Sequence, residues 1–308
     1  MQKTFCVTID TEPDCDVHWN RAKPASFESV LVGIARVLRP LWDKYAVKPV
    51  YFVSPEVLAD SNCCQVLKNE MGFGAEVGAH LHSEYIEPQR KHEDFAGTSS
   101  KEYPCFAYDS RTEYEKIQNL TQLIRAKLGT VPVSYRAARY GADLDTIESI
   151  EKLGYKVDSS VTPGIDWSGQ DGPDHSRAPD QPYFISEDDY YCAGDSKILE
   201  VPITIRGKRF ALLPDRWFFY RWLRPTHMTA LEMRVLTDEF LRRYDNPVLN
   251  MMFHSMEVIP KRTPFVRTEF GRKMFLSRLE RILQYLCGAG FRSRTLQEVY
   301  DEKLRQIS

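Results

Sequence analysis

The sequence predicts an α/β fold: a mainly parallel β-sheet with helices packed on it, in one domain. Three observations carry the prediction. Short apolar or β-branched runs alternate with stretches of helical periodicity along the chain. The length, 308 residues, is ordinary for a single α/β barrel. Side chains of catalytic type fall at the carboxyl ends of the predicted strands, the face on which parallel β/α proteins collect their chemistry.

The alternation starts at once with "KTFCVTID". A helical stretch follows over residues 26–45, then "PVYFVS", a helix over 55–70 and the strand "AEVGAHLH". A polar insert spans about 87–110. The pattern resumes with a helix at 111–128, "VPVSYRA", a helix at 143–153 and "YKVDSSV". A second insert, about 161–196, precedes "KILEVPITI", a helix near 226–243, "PVLNMMFHS", a helix near 268–287 and a terminal "FRSRTLQEVYDE". Seven strands and a weak eighth result, which suits either a closed barrel or an open doubly wound sheet. Local signals agree. Ser54 can cap the helix that Pro55 opens, and Gly154 and Gly290 stand where helices should stop. A dinucleotide site is disfavoured, because "GFGAEVG" precedes a strand and does not open a helix.

Composition narrows the function classes. Hydrophobic residues at 43% and charged residues at 27% are those of a globular protein with a sizeable core. The 41 basic and 43 acidic side chains are mixed along the chain, without the one-signed face that a phosphate backbone requires. Nucleic acid is therefore not an expected partner. No apolar run approaches the ~20 residues of a membrane-spanning helix, and no signal-peptide pattern precedes the first strand. Seven cysteines without a repeated spacing read as reduced thiols, so a cytoplasmic protein is expected.

Asp10 and Glu12 end the first strand, His80 and His82 the third, Arg136 the fourth, Asp158 the fifth and His254 the seventh. Two-residue spacing puts Asp10 and Glu12 on one side of an extended chain, and likewise His80 and His82. Asp14 and Asp16 continue the acidic run, which could equally be a turn or a capping segment. Converging oxygen and imidazole ligands without thiolates suit a divalent ion, zinc first, with cobalt, nickel or manganese as substitutes. His254 reads either as a satisfied core residue or as a general acid aimed into the barrel mouth. Arg136 and Asp158 read as a buried ion pair between strands.

Taken together, "TIDTEPD", "GAEVGAHLHSEY", "SYRAARYGAD", "YKVDSSVTPGIDW" and "LNMMFHSMEVIP" resemble, in order, the motifs of the polysaccharide deacetylase family of carbohydrate esterases. The resemblance spans roughly residues 4–297. It implies a distorted (β/α)7 barrel and metal-assisted hydrolysis of an N-acyl or O-acyl group on a sugar. It makes Asp10 the general base, His80 a metal ligand, Arg136 the residue orienting the base, His254 the general acid and Asp158 the partner tuning that acid. The chain departs from the family at two places. Thr11 stands where a metal-binding aspartate is usual, and Glu84 where a second histidine is usual. Glu12 and His82, each a short step away, are the expected replacements, so the metal set becomes Asp10 or Glu12 with His80 and His82, and Glu84 in reserve. This variant is similar to a bacterial subgroup of surface-glycan deacetylase-like proteins.

The expected substrate is an N-acylated sugar or glycan intermediate. A metal-free amidohydrolase of the same fold and a non-catalytic carbohydrate-binding protein are the alternatives. One aromatic and basic stretch, "DRWFFYRWLRP", holds Trp217 and Trp222. Its aromatics either close the barrel or form a peripheral membrane platform for a lipid-linked sugar. Tyr140 in the third motif and Trp167 in the second insert are further candidates for substrate contact. Oligomeric state is not legible.

Overall fold

The computed structural model describes residues 2–208 and 220–307. Its strands are β1 (Thr4–Thr11), β2 (Pro49–Val53), β3 (Glu76–Leu81), β4 (Ser134–Ala137), β5 (Val157–Asp158), β6 (Tyr183–Phe184), β7 (Leu199–Glu200), β8 (Ile205–Lys208), β9 (Tyr220–Trp222), β10 (Val248–His254) and β11 (Arg292–Ser293). The main sheet runs β10-β1-β2-β3-β4-β5-β7-β6, with β11 also on β1 and a separate β8-β9 hairpin. All main-sheet pairings are parallel except β6 with β7.

Strand alternation divides the core into two layers. In β1 the odd positions Phe5, Val7 and Ile9 face the outer cluster that the helices cover, together with Tyr51, Val53, Ala79, Leu81 and Tyr135 from neighbouring strands. The even positions face inward. At one end Cys6, Val50, Phe52, Val157, Leu199 and Val248 close the interior against Leu296, Val299 and Tyr300 of the last helix, Leu296–Ile307. At the other end the same inward rows carry Asp10, His80 and Arg136. One face of each strand therefore supplies both an apolar plug and the polar mouth above it.

Side chains close the barrel where the strand ladder does not. The Gln181 amide donates to the Val248 carbonyl at 3.0 Å and accepts from the Val248 N–H at 2.9 Å, in the manner of a missing strand. Asn250 donates to the Val201 carbonyl at 3.0 Å, and the Thr204 N–H donates to the Asn250 carbonyl at 3.0 Å. The expected distorted barrel is the observed one, and this seam is its distortion.

Nine of the eleven described strands start in the eight runs that the periodicity predicts. The run "KILEVPITI" is not one strand: β7 ends at Glu200 and β8 begins at Ile205, because Pro202 has no N–H for a ladder. The strands β6 and β9 were not expected. The helix over 55–70 is two, Pro55–Leu58 and Ser61–Gly72, the second capped by Asp60, which accepts from the Cys63 N–H at 2.8 Å. Ser54 does not cap the first. Its hydroxyl is buried without a partner. Gly154 and Gly290 do follow helix ends, at φ of 86° and 85°.

Candidate active site

Register brings the strand-end residues together. Asp10 pairs with His254 across β1 and β10, and His80 with Arg136 across β3 and β4. Paired residues project to the same side, so four side chains from distant segments meet at the mouth. Glu12, just past β1, reaches the same place. Its Oε1 lies 3.4 Å from His80 Nε2, 3.6 Å from His82 Nε2 and 3.7 Å from His254 Nε2. His254 Nε2 is also 3.9 Å from Asp10 Oδ2.

Each imidazole is oriented through its other nitrogen. His80 Nδ1 is 2.9 Å from the Arg136 carbonyl, an acceptor only, so Nδ1 carries a proton and Nε2 is the nitrogen left facing the site. His82 Nδ1 meets Glu56 Oε1 at 2.9 Å. His254 Nδ1 meets Glu257 Oε1 at 3.0 Å, and Arg224 bonds the same carboxylate. Glu12, His80 and His82 offer ligand atoms that all lie within 4.8 Å of one another, and so do Asp10, Glu12 and His254. The donor chemistry of the first set fits a zinc-type ion: two imidazoles and a carboxylate, each with outer partners, with His82 giving up the proton that its carboxylate neighbours hold there as the metal binds.

Charge is balanced by arginines placed behind the carboxylates. Arg136 is fully buried and donates to Asp10 Oδ1 at 2.7 Å, to Thr8 Oγ1 and Ser159 Oγ at 2.9 Å and to the Ser159 carbonyl at 2.8 Å. Burial would raise the Asp10 pKa, but Arg136, His80 and His254 outweigh it and hold the carboxyl below its usual range. Glu12 behaves likewise: burial raises it, and His82, His80 and Arg21 together keep it well down. Arg21 Nη2 lies 3.4 Å from Glu12 Oε2, which leaves Oε1 turned to the histidines. Burial alone would lower the His82 pKa. Glu56 and Glu12, one on each ring nitrogen, raise it to about 10.

Several expectations change here. Asp158 is not the partner of His254. Its oxygens accept from Ser160 at 2.7 Å and Tyr190 at 2.5 Å; burial raises its pKa against the lowering effect of hydrogen bonds from Glu200, Tyr190 and Ser160, while burial and the adjacent Asp158 together raise that of Glu200. Nor does Asp158 pair with Arg136, whose carboxylate is that of Asp10. Glu257 takes the place expected of Asp158. Glu84 is no ligand: its carboxylate accepts from the Lys101 and Glu102 N–H groups at 2.6 and 3.0 Å and from Ser100 Oγ at 3.0 Å, fastening the first insert. Thr11 turns away and donates to the Ile9 carbonyl at 3.0 Å. Asp14 accepts from the Glu28 and Ser29 N–H groups, and Asp16 from those of His18 and Asn20, so the rest of the acidic run is turn and cap.

The site opens into a cavity of about 570 Å³. Tyr140, Trp167 and Trp222 line it, as does Trp19. The Tyr140 and Trp167 rings stack with centroids 6.0 Å apart and planes 25° apart, and the Trp167 indole N–H donates to Thr162. Trp222 is 1% exposed, which removes it from any membrane-facing platform. Trp217 lies outside the described residues. Among the described residues no helix is long and apolar enough to cross a membrane.

No family model matches the chain, and no curated protein matches it. Solved structures do. A polysaccharide deacetylase-type protein of Mycobacterium smegmatis shares 15% identity at a TM-score of 0.57, covering 99% of this chain and 92% of that one. A protein of Pseudomonas aeruginosa PAO1 described as a probable polysaccharide deacetylase shares 15% at 0.57, covering 98% and 90%. The PuuE allantoinase shares 12% at 0.56, covering 97% and 88%. The chain therefore has the fold of the polysaccharide deacetylases, a fold that an allantoinase also uses.

Proposed function

We propose that this polysaccharide-deacetylase fold serves a metal-dependent hydrolase that removes an N-acyl group, acetyl in the simplest case, from a sugar or glycan. The observation that carries the reading is the ring of three imidazole Nε2 atoms around Glu12 Oε1, each imidazole held through its Nδ1, at the base of an aromatic-walled cavity. Glu12, His80 and His82 would hold a divalent ion, best matched by zinc, whose Lewis acidity would polarise the acyl carbonyl and acidify the attacking water.

The protein's own groups supply the proton transfers. Arg136 occupies Asp10 Oδ1 and leaves Oδ2 as the acceptor for the water's proton. His254 presents Nε2 to the same space and gives a proton to the departing amine, while Glu257 and Arg224 fix its ring. Water and amide are consumed, carboxylic acid and amine are formed. Tyr140 and Trp167 offer flat faces on which a sugar ring can lie. A cytoplasmic setting accords with seven cysteines that are all free.

The allantoinase likeness favours one second reading, an amidohydrolase acting on an amide outside carbohydrates. Acetate release from N-acetylated oligosaccharides, measured beside hydrolysis of allantoin, separates the two. Acetate release that stops on chelation supports the deacetylase; turnover of allantoin alone supports the alternative.

A further inference from the structure

The cavity rim carries two cations that the catalytic scheme leaves unused. Arg139 and Lys101 both line the cavity and both are exposed. Neither makes an ion pair among the described residues. Among the described residues the carboxylates that line the cavity are Asp10 and Glu12, which already face the buried Arg136 and Arg21. Arg224, the remaining lining guanidinium among the described residues, is matched by Glu257.

Arg139 is held in place by a built support. Its guanidinium lies over the Tyr103 ring, 4.5 Å from the centroid, and donates to the Tyr103 hydroxyl at 2.9 Å. Tyr103 is wedged between two glycines. A Cβ on Gly141 would come within 2.9 Å of the Tyr103 backbone, and one on Gly172 within 2.6 Å of its ring. Arg139 and Tyr140 are both left-handed, at φ of 53° and 65°, a conformation that costs a non-glycine residue free energy and turns the chain sharply at the end of β4. On the same lining, Glu84 fastens the backbone of Lys101, and Ser99 and Ser100 line the cavity beside it.

A preorganised guanidinium with most of its N–H groups free, sharing one cavity lining with an ammonium and lacking a carboxylate partner among the described residues, is suited to an oxyanion. We infer that Arg139 and Lys101 form an anion subsite, and that the N-acylated sugar carries a carboxylate or a phosphate. The inference rests on the deacetylase reading for the sugar, and on the rim alone for the anion.

The test is calorimetric titration of the metal-loaded protein, at one ionic strength, with N-acetylglucosamine, its 1-phosphate and N-acetylglucosaminuronic acid. The double variant Arg139→Gln, Lys101→Gln is titrated in parallel, and its thermal unfolding confirms the fold. At least one charged sugar should bind about tenfold or more tighter than the neutral one, as charge-assisted hydrogen bonds imply. That ratio should fall towards one in the double variant. The tighter of the two charged sugars identifies the group as phosphate or carboxylate. A ratio of one in the unmutated protein, or a preference that survives in the double variant, overturns the inference. If no sugar binds, inorganic phosphate decides the subsite, and the deacetylase reading is decided separately by acetate release from the oligosaccharides. Phosphate binding weakened about tenfold by the double variant supports it; equal or absent binding refutes it.

Discussion

His254 ends an inward row of β10 and is turned by Glu257, three residues on, so that its Nε2 faces Asp10 and Glu12. Burial would push the Glu257 carboxyl up, but Arg224 and His254 hold it at about 2, so it stays ionised beside the ring. Replacing His254 by alanine should lower turnover by ~10²–10⁴-fold with the fold intact. Glu257→Gln should lower kcat by at least about tenfold with little change in KM. Asp158→Asn should leave kcat near that of the unmutated protein, because its bonds go to Ser160, Tyr190 and Glu200. Steady-state kinetics of the three variants checks this ordering. At this scale the strand-end residues were legible because period two and strand termini are written in the sequence. Their supports were not. Glu56 follows the second strand, the strand end from which no candidate was drawn, and "HSME" holds the His254–Glu257 spacing; no signal points to Arg21, whose place is set by a long loop.

The helix Ser110–Leu128 supports the histidine segment from outside. Lys116 is fully buried and donates to the Ser83 and Ile86 carbonyls at 2.9 and 2.8 Å, and to that of Pro88. Lys116→Met would strand these carbonyls and should cost roughly 2–4 kcal/mol in denaturant unfolding. On the same helix Glu113 is 1% exposed and accepts from Thr146 Oγ1 at 2.9 Å. Burial, with Asp143 and Asp145 nearby, raises its pKa from 4.5 to about 8. A raised carboxyl pKa means that the fold holds a proton which the unfolded chain releases earlier. Its contribution is therefore fully present below pH 4.5 and is lost as pH rises through about 8. Glu113→Gln should flatten this fall, raising the melting temperature more at pH 9 than at pH 5 in paired thermal scans. Helix periodicity located this element, but not that one of its inward positions is a lysine whose ammonium is satisfied by a loop.

Across the whole molecule, one alternating pattern does two jobs. Odd positions of β1 pack under helices, and even positions pass from apolar plug to polar mouth. That division made the fold class readable, and the strand order follows from short βα connections. The seam was not readable: Gln181 of the irregular second insert, Thr204 between β7 and β8 and Asn250 within β10 close the barrel by side-chain hydrogen bonds. With Asp10 as base and His254 as acid in one cavity, kcat/KM should follow a bell-shaped pH profile that reports the coupled pair. A profile flat across neutral pH would contradict paired proton transfer. The central claim is that Glu12, His80 and His82 hold one divalent ion at this mouth, and metal analysis of protein purified without chelator tests it most directly. The unmutated protein should carry about one equivalent of metal per chain, lost in His80→Ala and in Glu12→Gln. An unmutated protein that takes up no metal, or variants that keep the full equivalent, would contradict it.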